Sequence, residues 1–92
     1  MTPDAAEALA AEALAWMAGD QDLIGSFLAA SGAAPGDLAS AASEPAFLGF
    51  VLDFLLGDDA TVTAFAQATN RSPESVIRAR AALPGGMTPE WT

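Results

Sequence analysis

Hydrophobic residues recur along this 92-residue chain at helical intervals, and Gly, Pro and capping residues interrupt them at short distances. The pattern predicts five or six short helices and no strand. The first begins at Thr2-Pro3-Asp4, with Pro at an early helical position, and Gly19 ends it. Asp4 and Glu7 have the spacing of a capping box. The predicted inward face comprises Leu9, Ala13, Trp16 and Met17.

A second helix is predicted to begin after Asp20, a good N-cap residue, and to end at Gly32, which suits a left-handed backbone. A short third helix follows over Pro35 to Ala42, with Leu38 inward. The apolar stripe of the second helix comprises Leu23, Ile24, Phe27, Leu28 and Ser31.

The fourth helix, opened by Ser43-Glu44-Pro45 and spanning about residues 44–56, is apolar nearly all round. Such a helix is expected at the centre of a bundle, packed on several sides. One face of this helix carries only the short side chains of Ala46, Gly49 and Asp53, so a neighbouring backbone can approach it closely. Asp53 is its only charge within the apolar run, so we expect it either to face solvent or to pair with Arg78 or Arg80.

The last two helices begin at Gly57-Asp58 and at Ser72-Pro73-Glu74, and Asn70 between them suits a left-handed turn. Pro84-Gly85-Gly86 ends the last one. Together the elements predict an all-α fold, a compact orthogonal bundle of five to six short helices, with a single domain at 1–86 and a flexible tail at 87–92. The predicted inward residues are Val62, Phe65, Ala66 and Thr69, then Val76, Ile77, the aliphatic stem of Arg80, and Leu83.

Charge is strongly one-sided, with twelve acidic and three basic residues and a net charge of −9. This charge repels phosphate backbones and membrane surfaces, so it disfavours nucleic acid as a partner, and we expect no membrane partner. The acidic start does not resemble a signal peptide. The longest apolar run, Ala46 to Leu56, is about half the length of a membrane span. A soluble, cytoplasmic protein is expected.

Residue types that usually carry catalysis are missing, because the sequence has no His, Cys, Tyr or Lys. The acidic pairs Asp20-Gln21-Asp22 and Asp58-Asp59 do not continue into calcium-binding loops, and helix capping explains both. We therefore expect no enzymatic activity, no catalytic residue, no metal site and no cofactor.

The most motif-like segment is residues 58–83, where a helix, a three- to four-residue turn and an Arg-bearing helix follow the order of a helix-turn-helix DNA reader. Asn70 in place of Gly, Arg71 at an apolar position and Glu74 at the start of the second helix depart from that pattern. Reading DNA would require the three Arg side chains to share one exposed face, and would fail if Arg80 were buried against Asp53. The candidate interaction surface comprises Arg71, Arg78, Arg80 and Trp91.

Three functions stay open on these grounds. The leading hypothesis is a non-catalytic protein-binding or adaptor module, with another protein as partner. The second is a transcription-associated DNA-binding protein that uses residues 58–83. The third is a carrier with an apolar cavity around Phe47, Phe50 and Phe54. The fourth helix is so apolar that a homodimer is an alternative to a monomer.

Several longer strings carry a family resemblance: EALAWMAGD, then LIGSFLAASGAAPGDLASAASEPAFLGFVLDFLLGDD, then SPESVIRARAALPGG. Over residues 5–86 the chain resembles a family of small, roughly 90-residue alphaproteobacterial helical proteins of unknown function. The resemblance implies a cytoplasmic helical domain and no established activity. It would place an apolar residue near Arg71, where this chain departs from it.

Overall fold

The computed structural model describes residues 1–83, which form an all-α fold of six helices with no strand among them. The predicted fold class is confirmed. A 3₁₀ turn at Pro35–Asp37 leads directly into the third helix. The helices are α1 (Pro3–Ala18), α2 (Gln21–Ser31), α3 (Leu38–Ala41), α4 (Pro45–Leu56), α5 (Asp59–Thr69) and α6 (Pro73–Ala81).

The start of α1 differs from the predicted capping box at Asp4. Thr2 is the N-cap, and its hydroxyl oxygen accepts the backbone N–H of Ala5 at 3.1 Å. The reason is Pro3, because a residue that precedes proline is held in the extended region, as the φ of −74° and ψ of 154° of Thr2 show. Asp4 therefore lies inside the first turn.

At α4 the N-cap is Glu44 rather than Ser43, and Glu44 makes no side-chain capping bond. The Ser43 hydroxyl instead donates to the carbonyl of Ser40 at 2.9 Å, at the end of the preceding turn. The two predicted left-handed residues are confirmed, with φ of 75° at Gly32 and 57° at Asn70.

As predicted, α4 lies at the centre of the bundle, where it packs against α1, α2, α5 and α6. Phe27 of α2 is fully buried against it, with its ring centroid 5.3 Å from that of Phe54 and 5.7 Å from those of Phe47 and Phe50. Phe27 thus packs among the three rings around which the carrier hypothesis would place a cavity. The fully buried large side chains are Phe27, Phe65, Leu9, Met17, Leu52, Leu55, Val51 and Val76.

One predicted core position is wrong, because Ile77 is 57% exposed. Helix α6 buries Val76 and Ala79, and Leu83 is buried just beyond its end, so that the three recur at intervals of three and four residues. Ile77 follows Val76 by about 100° around the helix, outside this stripe. The predicted helix end at residues 84–86 and the tail at 87–92 lie outside the described residues.

Within residues 1–83 no single helix is long and apolar enough to cross a membrane. The segments Pro35–Ala41 and Pro45–Leu56 reach that length and hydropathy only as a pair, and they are bent by 118°.

Candidate functional site

The turn between α5 and α6 is a Schellman motif, in which the N–H of Asn70 bonds to the carbonyl of Gln67 and that of Arg71 to the carbonyl of Ala66. The motif places Arg71 beside α1. Its Nε and Nη2 donate to the same oxygen of Glu12, at 3.0 and 2.6 Å. This ion pair gives a physical reason for the charge of Arg71, which stands at a position where helix-turn-helix proteins usually have an apolar residue.

Arg80 is held by Asp53 on α4, the second of the two arrangements that the sequence left open. Its Nε donates to Oδ1 at 2.6 Å and its Nη2 to Oδ2 at 3.0 Å, a bidentate geometry. The Arg80 side chain is only 14% exposed, whereas that of Asp53 is 51% exposed. The pair therefore links α6 to α4, and one edge of the Asp53 carboxylate stays exposed to water.

Arg78 is exposed and makes no ion pair within residues 1–83, and it adjoins the exposed Ile77. Trp91 lies outside the described residues. Of the predicted surface, Arg71 is thus bound to α1 and Arg80 to α4, and the structure does not gather the three cations into one free basic patch.

A different surface has the form of a binding groove. One cleft of about 400 Å³ lies at the starts of α2 and α5, and one of about 560 Å³ lies where α2 passes α4. Leu23, Ser26 and Thr61 line both, so the two clefts adjoin, and we call them together the α2–α5 groove. The other lining residues are Trp16, Asp20, Asp22, Ala60 and Ala64 in the first cleft, and Ala30, Phe50, Asp53, Phe54, Gly57 and Asp58 in the second.

Small side chains leave this groove open. On α2 it is lined by Ser26 and Ala30, and on α5 by Ala60, Thr61 and Ala64. These are too short to fill the space between the helices. Phe27, the largest side chain of α2, packs instead against the rings of α4. The floor consists of half-buried Leu23, Trp16, Phe50 and Phe54, which remain accessible from the groove.

The rim is acidic, and helix capping fixes two of its carboxylates. Asp20 accepts the N–H of Leu23 at 3.1 Å. Asp58 accepts the N–H of Ala60 at 3.0 Å and the hydroxyl of Thr61 at 3.1 Å. Asp22 and the outer edge of Asp53 complete the rim. Among residues 1–83, no Arg lines either cleft.

Sequence reasoning identified the acidic pairs at Asp20 and Asp58 as helix caps, which is confirmed for both, but it did not connect them. A signal was present, since each pair precedes a helix whose exposed side is rich in Ala, Ser and Thr. Nothing in a single sequence says, however, that the two helices face each other. The partner of Arg71, Glu12, was missed for the same reason.

The sequence model of one protein family, described as "Protein of unknown function (DUF3572)", matches residues 3–86. That match covers nearly the whole of the chain. No curated protein and no solved structure matches it.

Proposed function

This chain belongs to the DUF3572 family of proteins of unknown function, and we propose that it is a non-catalytic module that binds another protein through the α2–α5 groove. The observation that carries the proposal is the groove itself, an accessible apolar floor between two helices beneath a charged rim. Interfaces of this form take apolar side chains into the floor, while the rim contributes orientation and association rate.

Half-buried aromatic residues support the choice of this face. Trp16 rests on Phe65 with ring centroids 5.5 Å apart, and Phe50 and Phe54 rest on Phe27. Each ring is therefore fixed by the core on one side and accessible on the other. Rigid aromatic side chains of this kind contribute much of the energy at protein interfaces, because little conformational freedom is lost when they bind.

The alternative function, DNA reading by residues 58–83, has weaker support. Arg71 and Arg80 are committed to Glu12 and Asp53, so Arg78 is the only Arg of residues 1–83 without an ion pair. Most of the affinity of proteins for the DNA backbone comes from cations that neutralise phosphates, and the net charge of −9 opposes the approach of DNA. A gel shift at low salt is expected to show no complex.

The test compares affinity capture by the wild-type chain and by two Trp variants of α2. Ser26 is exposed and lines both clefts, so Ser26→Trp fills the groove without entering the core. Ala29 is also exposed on α2 but lines neither cleft, so Ala29→Trp is the matched control. A protein retained by the wild type and by Ala29→Trp but lost with Ser26→Trp supports the proposal. Equal retention by the wild type and both variants, or no reproducible partner, refutes it.

A further inference from the structure

We infer that the occupant of the α2–α5 groove is a cationic amphipathic helix of a partner protein, an inference that rests on the proposed function. Its apolar side chains would enter the floor at Trp16 and at Phe50 and Phe54, and its Lys or Arg side chains would contact the rim. Helices that bind in grooves present such anchors at intervals of three, four and seven residues.

The shape of the groove favours an elongated occupant. Trp16 lines only the first cleft, Phe50 and Phe54 line only the second, and Leu23 lines both, so the groove continues from one aromatic site to the other. A small ligand would occupy one cleft alone. A helix places successive apolar residues along one side, and its own backbone hydrogen bonds are satisfied, so it needs few polar partners from the groove walls.

The sign of the charge on the occupant follows from the rim. Asp20, Asp22 and Asp58 are exposed, and within residues 1–83 no ion pair neutralises them. The N-termini of α2 and α5 would by themselves attract anions, but these carboxylates already compensate them. An anionic segment would be repelled by these three carboxylates, whereas Lys or Arg side chains would meet charges of opposite sign.

A second copy of this chain does not fit this description. Its three cations are Arg71, Arg78 and Arg80, of which Arg71 and Arg80 are engaged within the fold. A copy would therefore offer Arg78 beside the exposed Ile77, on a body that itself carries a net charge of −9. Two such bodies repel each other, so the helix comes from a different, basic protein.

The probe is a synthetic helix of Leu and Lys, roughly 14 residues or about four turns long, with Leu along one face. The Trp91→Phe variant leaves Trp16 as the only Trp, so its emission reports occupation of the first cleft. We expect the emission to shift to shorter wavelength as the Lys peptide binds. A peptide with Glu in place of every Lys tests the sign of the charge.

Three substitutions in that background test the rim. Asp20→Asn, Asp22→Asn and Asp58→Asn remove its charge, and Asn remains a good N-cap at both capping positions. The control carries Asp4→Asn, Glu44→Gln and Glu74→Gln, which remove the same charge at the starts of three other helices. We expect about tenfold weaker binding of the Lys peptide by the rim variant than by the control.

Three results would overturn the inference. The rim variant and its control could bind the Lys peptide with equal affinity, the Trp91→Phe protein could fail to bind the Lys peptide, or it could bind the Glu peptide as tightly as the Lys peptide. Sedimentation serves as a separate check, and self-association that Ser26→Trp abolishes would identify a second copy as the occupant instead. The proposed function fails on another observation, the retention of a captured partner by Ser26→Trp. A partner lost with Ser26→Trp but bound equally well by the rim variant and its control refutes this inference alone.

Discussion

The ion pair between Arg80 and Asp53 is expected to stabilise the fold, and a double-mutant cycle measures its contribution. The substitutions are Asp53→Asn, Arg80→Met and the two combined. Met keeps an unbranched apolar side chain that can pack where the Arg80 stem packs, and Asn keeps the approximate size of Asp. Because the cycle subtracts every other contact of Arg80, the coupling energy reports this pair alone.

The magnitude follows from the exposure of the two side chains. Fully exposed pairs contribute about 0.2–1 kcal/mol, and removing one partner from a fully buried pair costs about 3–5 kcal/mol. The Arg80 side chain is 14% exposed and that of Asp53 is 51% exposed, so water screens one partner and not the other. The bidentate geometry strengthens the contact. We expect a coupling free energy of about 1–2 kcal/mol, below the buried limit because of that screening.

The assay is urea-induced unfolding followed by circular dichroism, with the free energy of unfolding extrapolated to water for the four proteins. Asp53→Asn should destabilise more than an ordinary surface substitution, because it leaves a largely buried guanidinium without its carboxylate. A coupling energy within about 0.3 kcal/mol of zero would show that this ion pair does not stabilise the fold, since distant, independent sites behave in that way.

Other substitutions have expected outcomes in the same unfolding assay. Arg71→Gln should cost about 1 kcal/mol or less, because Arg71 and Glu12 are 36% and 43% exposed; a larger loss would mean that the turn depends on this pair. Phe27→Ala should cost about 3–5 kcal/mol, since the fully buried ring contacts three others, and a loss near 1 kcal/mol would show that α2 is loosely packed. Asn70→Gly should be nearly neutral while Asn70→Val costs about 1–2 kcal/mol, because a β-branched residue resists a φ of 57°; equal effects would contradict the left-handed turn. Ile77→Thr should change stability by about 0.5 kcal/mol or less, in contrast to a core position.

Local features of the fold could be predicted from the sequence because local rules decide them. Gly32 and Asn70 end their helices in the left-handed conformation that few other residues adopt. Pro3, Pro45 and Pro73 each mark the first turn of a helix. The central place of α4 followed from its lack of a polar face.

The errors lie where two local rules compete or where helices meet. At the start of α1 the effect of Pro3 on Thr2 prevailed over the capping-box spacing at Asp4. The predicted inward position of Ile77 is wrong because Val76 and Ala79 already supply the inward face of α6. The position of one helix relative to another depends on many weak contacts, and local sequence rules do not give their sum.

The candidate site illustrates the same limit. Asp20 and Asp58 are 38 positions apart in the sequence, and each by itself is explained by capping. Only their placement on the rim of one groove, over a floor that includes Trp16 and Phe54, turns two caps into a candidate site. All three Arg residues of the chain fall between positions 71 and 80, which made this segment the most conspicuous one in the sequence. Two of them, Arg71 and Arg80, form ion pairs that hold the turn and the last helix against the rest of the fold.

The most direct test of the binding function is a two-dimensional ¹⁵N–¹H NMR titration of the labelled chain with the Leu-Lys peptide. If the groove binds the peptide, we expect chemical-shift changes to concentrate on four residues that line it: Leu23, Ser26, Thr61 and Ala64. Changes centred on Ile77 and Arg78 with an unaltered groove would contradict binding at the groove. An unaltered spectrum would contradict it as well.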